Sequence, residues 1–346
     1  MPIISLKTKK IHIDLKLVNL LVFIILNIFL VSCSKSLSRD EGQKYLRAFD
    51  NEFIQLFARI NETEASGAIQ ALSLLPEIPL PLFFVNELDE KTGLQSYNFQ
   101  KMKGIYTYLP ENNVIKKTNQ CDSVCILFPF KTNDDSLTRF ILTDYSESTT
   151  ALLMMFPQIY KATITANTRK LADISFKGVV KHELPADAEM KLLFSNFQIQ
   201  LTMKTSFKKT HGTIKMRIEI SEDNKPILSG RIITDVKITE YKTLVYNNKT
   251  IELDVFPLKI RFESALDFSS STSGKFIEEF NNNSNFEIFT HSGDKVGDVF
   301  LAHVTGRDRI NFHIKYGDGY TENLEDLLLS VKKIINFKII QLKPLS

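Results

Sequence analysis

The chain has 346 residues, 43% of them apolar, with 26 Phe, no Trp and a formal charge of +3. The first 32 residues carry four Lys and one Asp, so residues 33–346 hold 39 basic and 39 acidic side chains and are formally neutral. That balance leaves no basic footprint for nucleic-acid binding, and the length allows one large β domain or two smaller ones. The absence of Trp removes the largest aromatic platform on which a glycan binder would stack sugars.

In chain order the first element is a secretion signal. Lys7, Lys9, Lys10 and Lys16 precede an apolar run from Leu17 to Val31. A basic start, an apolar middle and small residues at a cut site compose a signal peptide. The run is shorter than the roughly 20 residues that a spanning helix needs, and Asn19 and Asn27 interrupt it. An uncleaved anchor, or an ordinary signal peptide with an incidental Cys, are the alternatives. Leu30-Val31-Ser32-Cys33 resembles the lipobox of bacterial lipoproteins. This resemblance is confined to residues 1–33. It implies diacylglycerol transfer to the Cys33 sulfur, cleavage before Cys33 and acylation of the new amine. The implied partner is a membrane, held by acyl chains on Cys33; stable anchoring takes more than one chain. No acidic residue follows Cys33 until Asp40. Within the lipoprotein class this favours the outer membrane, facing the periplasm, with the cell surface as the alternative.

Residues 33–94 read as a tether followed by amphipathic helices. The tether is short and polar, to about Ser38. Leu46, Phe49, Phe53, Leu56, Phe57 and Ile60 then form one apolar helical stripe beginning near Asp40. Thr63 is placed to cap a second helix running to Leu75, which the prolines at 76, 79 and 81 end.

Residues 95–346 read as a β-rich domain. Strict alternation runs through Phe197–Lys204, Ile214–Ser221 and Leu258–Glu263, the last continuing to Phe268. Each is a strand with one buried and one wet face, as in antiparallel sheet. Turns are expected at Asn167–Lys170, Glu222–Lys225, Asn247-Asn248, Gly293–Gly297 and Gly306–Arg309, since Asn, Asp and Gly tolerate the backbone of tight turns. Short strands joined by local turns make a meander. Cys121 and Cys125 lie between strands expected at Val114–Gln120 and Ile126–Lys131; a hairpin there would allow a cross-strand disulfide. Ser146–Phe156 is expected to be a linker or short helix dividing the domain. Lys275–Phe280 reads as a short helix, and Asn281–Asn285 as a polar turn. Thr321 caps a last helix striped by Leu324, Leu327, Leu328, Val331, Ile334 and Ile335.

The sequence offers no catalytic motif and no cofactor site. His182, His211, His291, His303 and His313 lack metal spacing; His303 and His313 would meet only as a lone cross-strand pair. Asp318, between two glycines, reads as a turn residue, and Asp134-Asp135 as a loop tip. The expected fold is mainly β (α+β), an antiparallel meander with amphipathic helices at both ends. If the sheet is long and curved with the helices on its concave side, the layout resembles, at the level of fold alone, envelope lipoproteins that carry or chaperone lipids. The function expected is a membrane-anchored, non-enzymatic envelope lipoprotein with a structural or partner-binding role. A carrier of lipid or another apolar ligand is the alternative, using a face with Phe197, Ile199, Leu201, Ile260 and Phe262; the plainer reading of those side chains is core. An envelope enzyme or glycan binder is a third reading.

Overall fold

The computed structural model describes residues 35–81, 87–88, 95–130, 137–152, 154–266, 275–303 and 310–332. The signal peptide and Cys33, the loop with Asp134-Asp135, the Gly306–Arg309 turn, and Asp267, Phe268, Ile334 and Ile335 lie outside them.

Helix α1 (Arg39–Asn61) opens the described chain. Ser38 and Glu41 form a reciprocal capping box at its start, satisfying amides that have no partner inside the helix. Thr63 caps α2 (Glu64–Ser73) through an amide hydrogen bond from Ser66. A small ladder pairs β1 (Glu87–Leu88) with β2 (Gln95–Ser96), and α3 (Phe99–Met102) leads into the main sheet.

That sheet has sixteen strands among the described residues. They are β3 (Gly104–Leu109), β4 (Val114–Asn119), β5 (Val124–Pro129), β6 (Leu137–Thr149), β7 (Met155–Ala166), β8 (Arg169–Lys181), β9 (Leu184–Phe194) and β10 (Phe197–Lys208). There follow β11 (His211–Glu222), β12 (Lys225–Ile238), β13 (Leu244–Val255), β14 (Leu258–Ser264), β15 (Ser284–Thr290), β16 (Lys295–His303), β17 (Ile310–Lys315) and β18 (Thr321–Asn323). Helix α4 (Phe276–Asn283) interrupts between β14 and β15. From β5 to β18 each strand pairs antiparallel with the next, so the expected meander is present. The sheet stays open: β4 and β18 form its edges. β4 carries exposed Lys116 and Lys117 and β18 is three residues long, and charge and brevity both discourage edge-to-edge pairing.

The turns explain the register. Asp223 and Asn224 join β11 to β12 with φ of 50° and 62°, the left-handed pair that matches the twist of two-residue hairpins. Asn167 has φ of 53° between β7 and β8.

Several expectations are corrected. Asn247-Asn248 lies inside β13; the turn falls earlier, where Thr239 and Thr243 hydrogen-bond across Glu240–Lys242. Ser146–Phe156 is neither linker nor helix, because Ser146 pairs with Ile159 and Thr149 with Met155 in a continuous β6–β7 hairpin. α4 runs on to Asn283 and β15 starts at Ser284, leaving no polar turn. Thr321 begins an edge strand, and Asn323 caps a 3-10 turn at Leu324–Asp326. A helical turn follows at 329–332.

All described helical cover lies on one face of the sheet. Leu46 and Phe49 of α1 join Ile220, Leu228, Val255, Leu258, Ile288 and Ile314 in one core. Leu56 and the α2 residues Ala65, Ala68 and Leu72 join Val124, Ile126, Phe128, Phe140, Leu142 and Ile164 in another. α1, roughly 35 Å long, thus crosses the strands along the end of the sheet where the β11–β12, β13–β14 and β15–β16 turns lie. No described helix is long and apolar enough to cross a membrane.

Candidate functional site

The helix-bearing face is built from cross-strand rows. One row runs Ile126, Phe140, Ile164, Ala172, Phe194, Phe197 from β5 to β10, every member buried. Across β10 to β14 the row beneath α1 is Ile199, Ile220, Leu228, Val255, Leu258. The next is Leu201, Ile218, Gly230, Leu253, Ile260, and the third Met203, Met216, Ile232, Ile251, Phe262.

Burial falls along these rows. Ile220, Leu228, Val255 and Leu258 are buried under α1. Leu201, Met203, Met216, Ile251 and Ile260 are only half-buried, and Ile232 is 38% exposed. α4 closes the far side: Phe280 stacks on Phe262 at 5.8 Å and meets Phe312 at 6.0 Å. Between α1 and α4 an apolar strip therefore stays partly exposed, with no described helix over it. It spans five strands, about 19 Å at the usual strand spacing.

Of the expected ligand-face residues, all five share this face, but only Leu201 and Ile260 belong to the open strip. Phe197 is core, stacked on Phe194 at 5.6 Å. Ile199 packs against both clusters, and Phe262 lies under Phe280. Met203, Met216, Ile232 and Ile251 went unnoticed; their signal was the same alternation with flexible Met in two adjacent strands, a residue that adapts to irregular partners.

The segment after Cys33 is a strap rather than a free tether. Ser36 bridges in parallel to Lys295; Leu37 N donates to Lys295 O at 2.8 Å and Gly317 N to Leu37 O at 2.9 Å. The same end holds a polar network. Lys295 Nζ lies 2.7 Å from both Glu287 and Asp298. Burial works against the charge on Lys295, but these two carboxylates outweigh it and raise its pKa. Glu322 accepts from Tyr316, Gln43 and Arg39, tying α1 to β17 and β18. Asp318 is the turn residue expected, taking Arg39 N at 2.8 Å and Tyr320 N at 3.1 Å. Those backbone amides hold its carboxyl below the usual range.

Among the described residues the cysteines and histidines form no site. Cys121 and Cys125 are free thiols. The hairpin expected to oppose them does not exist, because β3 lies between β4 and β5 and runs parallel to β5. Cys121 Sγ instead sits 3.3 Å from Ser123 Oγ, and burial raises the Cys125 pKa. His303 pairs with Ile310 and His313 with Phe300, on opposite faces of their hairpin. Among the described residues no three His, Cys, Asp or Glu side chains group as metal ligands. No family model, no curated protein and no solved structure matches this chain.

Proposed function

We propose that the chain is a cell-envelope lipoprotein, anchored through acyl chains on Cys33, that binds an apolar ligand such as a lipid acyl chain. The observation that carries the reading is the open strip of Leu201, Met203, Met216, Ile232, Ile251 and Ile260. A monomer gains by burying such a surface. The strip is longer than one leaflet's acyl layer, about 15 Å, half a bilayer's hydrocarbon core. The strap supports the anchoring half of the proposal. Only Ser34 separates Cys33 from Lys35, whose backbone is bonded to Asp294 and Lys295, so an anchor would hold the turns at that end against the bilayer.

Intact mass of protein from membrane fractions tests the anchor: a mature chain starting at Cys33 plus acyl groups, lost in Cys33→Ala. Titration with a fluorescent fatty acid tests the strip. The folded wild-type chain should bind it and Ile232→Lys/Met216→Lys should not. Equal binding by both, or none by wild type, overturns the acyl-ligand reading, and recovery of a specific protein lost in the same variant would replace it with a protein partner.

A further inference from the structure

The opposite, polar face of the same strands is hollowed into a cavity of about 700 Å³, within the roughly 300–1,000 Å³ of small-molecule sites. Lys204, Lys215, Arg217, Arg231, Lys259 and Arg261 line it against two carboxylates, Glu252 and Asp254. The neutral total for residues 33–346 conceals this local excess.

The register makes the excess specific. One row crosses the face as Arg231, Glu252, Arg261, Glu287, alternating in sign as a solvated sheet face does. Two neighbouring pairs break the alternation: Lys204 stands directly opposite Lys215, and Arg217 directly opposite Arg231. Lys215 and Arg217 are two apart on one strand, so the four cations are contiguous. Like charges opposed across strands repel and destabilise a sheet. Arg217 is relieved by Glu219 at 2.8 Å, while the carboxylate paired with Arg231 is 4.0 Å away. Lys204 and Lys215 have no carboxylate within ion-pair distance among the described residues. A pair of repelling cations at the mouth of a cavity, without an internal counter-charge, is what a bound polyanion would compensate.

We infer that this cavity binds a small anion carrying at least two phosphate groups. The site lies on the other side of the sheet from the apolar strip and does not depend on it. Calorimetric titration of the full folded chain with pyrophosphate at low salt is the test. Wild type should bind, with affinity falling as salt rises. Lys204→Gln/Lys215→Gln should bind about a hundredfold more weakly, at about tenfold per charged contact. Since these lysines have no partner to lose, the variant should melt at the same temperature as wild type or higher. No heat of binding in wild type, or equal affinity in the variant, overturns the inference. Vesicles of phosphatidylcholine with and without phosphatidic acid identify the source. Recruitment only by phosphatidic acid, competed by pyrophosphate, assigns the phosphates to a lipid headgroup; pyrophosphate binding without recruitment assigns them to a soluble ligand.

Discussion

The two halves of the sheet carry the same alternating pattern on the same face, yet only one half is closed. From β5 to β10 the row Ile126, Phe140, Ile164, Ala172, Phe194, Phe197 is buried throughout, with α2 and the end of α1 above it. From β10 to β14 the row beneath α1 is buried, while Met203, Met216, Ile232 and Ile251 stand half open two rows away. The difference lies in what was laid over each half. Alternation decides which side chains turn from water; it does not supply the cover.

The sharpest way to break this comparison is one substitution on each side. Phe140 is 2% exposed, and Phe140→Ala should cost about 3–5 kcal/mol, the transfer of the ring plus the cavity left behind. Ile232→Ser, in the open strip, should cost under about 0.5 kcal/mol, as surface changes do. Urea unfolding of both variants gives the two numbers. Comparable losses would show that the strip is core in solution.

The next effect concerns the seat of α1, the sole described helix over the open half along one end. Gly42 lies so close to the residue that follows β17 that a Cβ there would sit 2.6 Å from the Tyr316 ring. Two terms oppose each other in Gly42→Ala: helix propensity gains about 1 kcal/mol, while overpacking a buried ring costs about 1–3 kcal/mol. Because Tyr316 is 3% exposed and bonded to Glu322, the ring has little room to retreat, and a net loss of about 1–2 kcal/mol is expected. A gain in stability would mean that the helix is loosely seated and the open region larger than it stands here.

A comparable loss is expected at a polar contact of α1. Asp50, 8% exposed, accepts Ser330 N at 3.0 and 3.1 Å and Val331 N at 3.0 Å. It caps the helical turn at 329–332 from outside, as an N-cap residue would from within. Asp50→Ala should cost about 1–2 kcal/mol and speed hydrogen exchange at Ser330 and Val331 first. Slow exchange there in the variant would show that packing of Leu327 and Leu328, not the cap, holds the segment.

Much of this architecture was legible in the sequence because its causes are local. Six apolar residues at helical spacing gave α1, and Asp223-Asn224 between two alternating runs gave a hairpin. The misreadings at the cysteines and at Asn247-Asn248 share one cause, pairing that local pattern does not encode. Val114–Asn119 and Val124–Pro129 are close in sequence, but β3 takes the place between them, and the expected cysteine hairpin disappears with it. Asn247 and Asn248 look like a turn, yet they sit at a bulge within β13, whose pairing with β12 holds on both sides, Lys249 against Thr234 and Tyr246 against Val236. Alternating charges looked like an ordinary wet face in the same way. Only the register showed Lys204 against Lys215.

The smallest effect reports on the strap that joins the anchor to the body. Glu41 accepts Ser38 N at 3.1 Å, Ser38 Oγ at 3.0 Å and Lys35 Nζ at 3.0 Å. The lysine and these Ser38 bonds hold its carboxyl down from 4.5 to about 2. A depressed carboxylate stabilises the fold above its ordinary pKa, and that contribution fades as pH falls from about 4.5 through about 2. The melting temperatures of wild type and Glu41→Gln should therefore differ most near neutrality and converge in acid. Asp318 titrates in the same direction beside the same helix start, but both chains keep it, so it cancels in the difference. A gap that persists unchanged to low pH would show that the Gln variant disturbs the strap by shape, and that the charge on Glu41 does not hold Leu37 against β16.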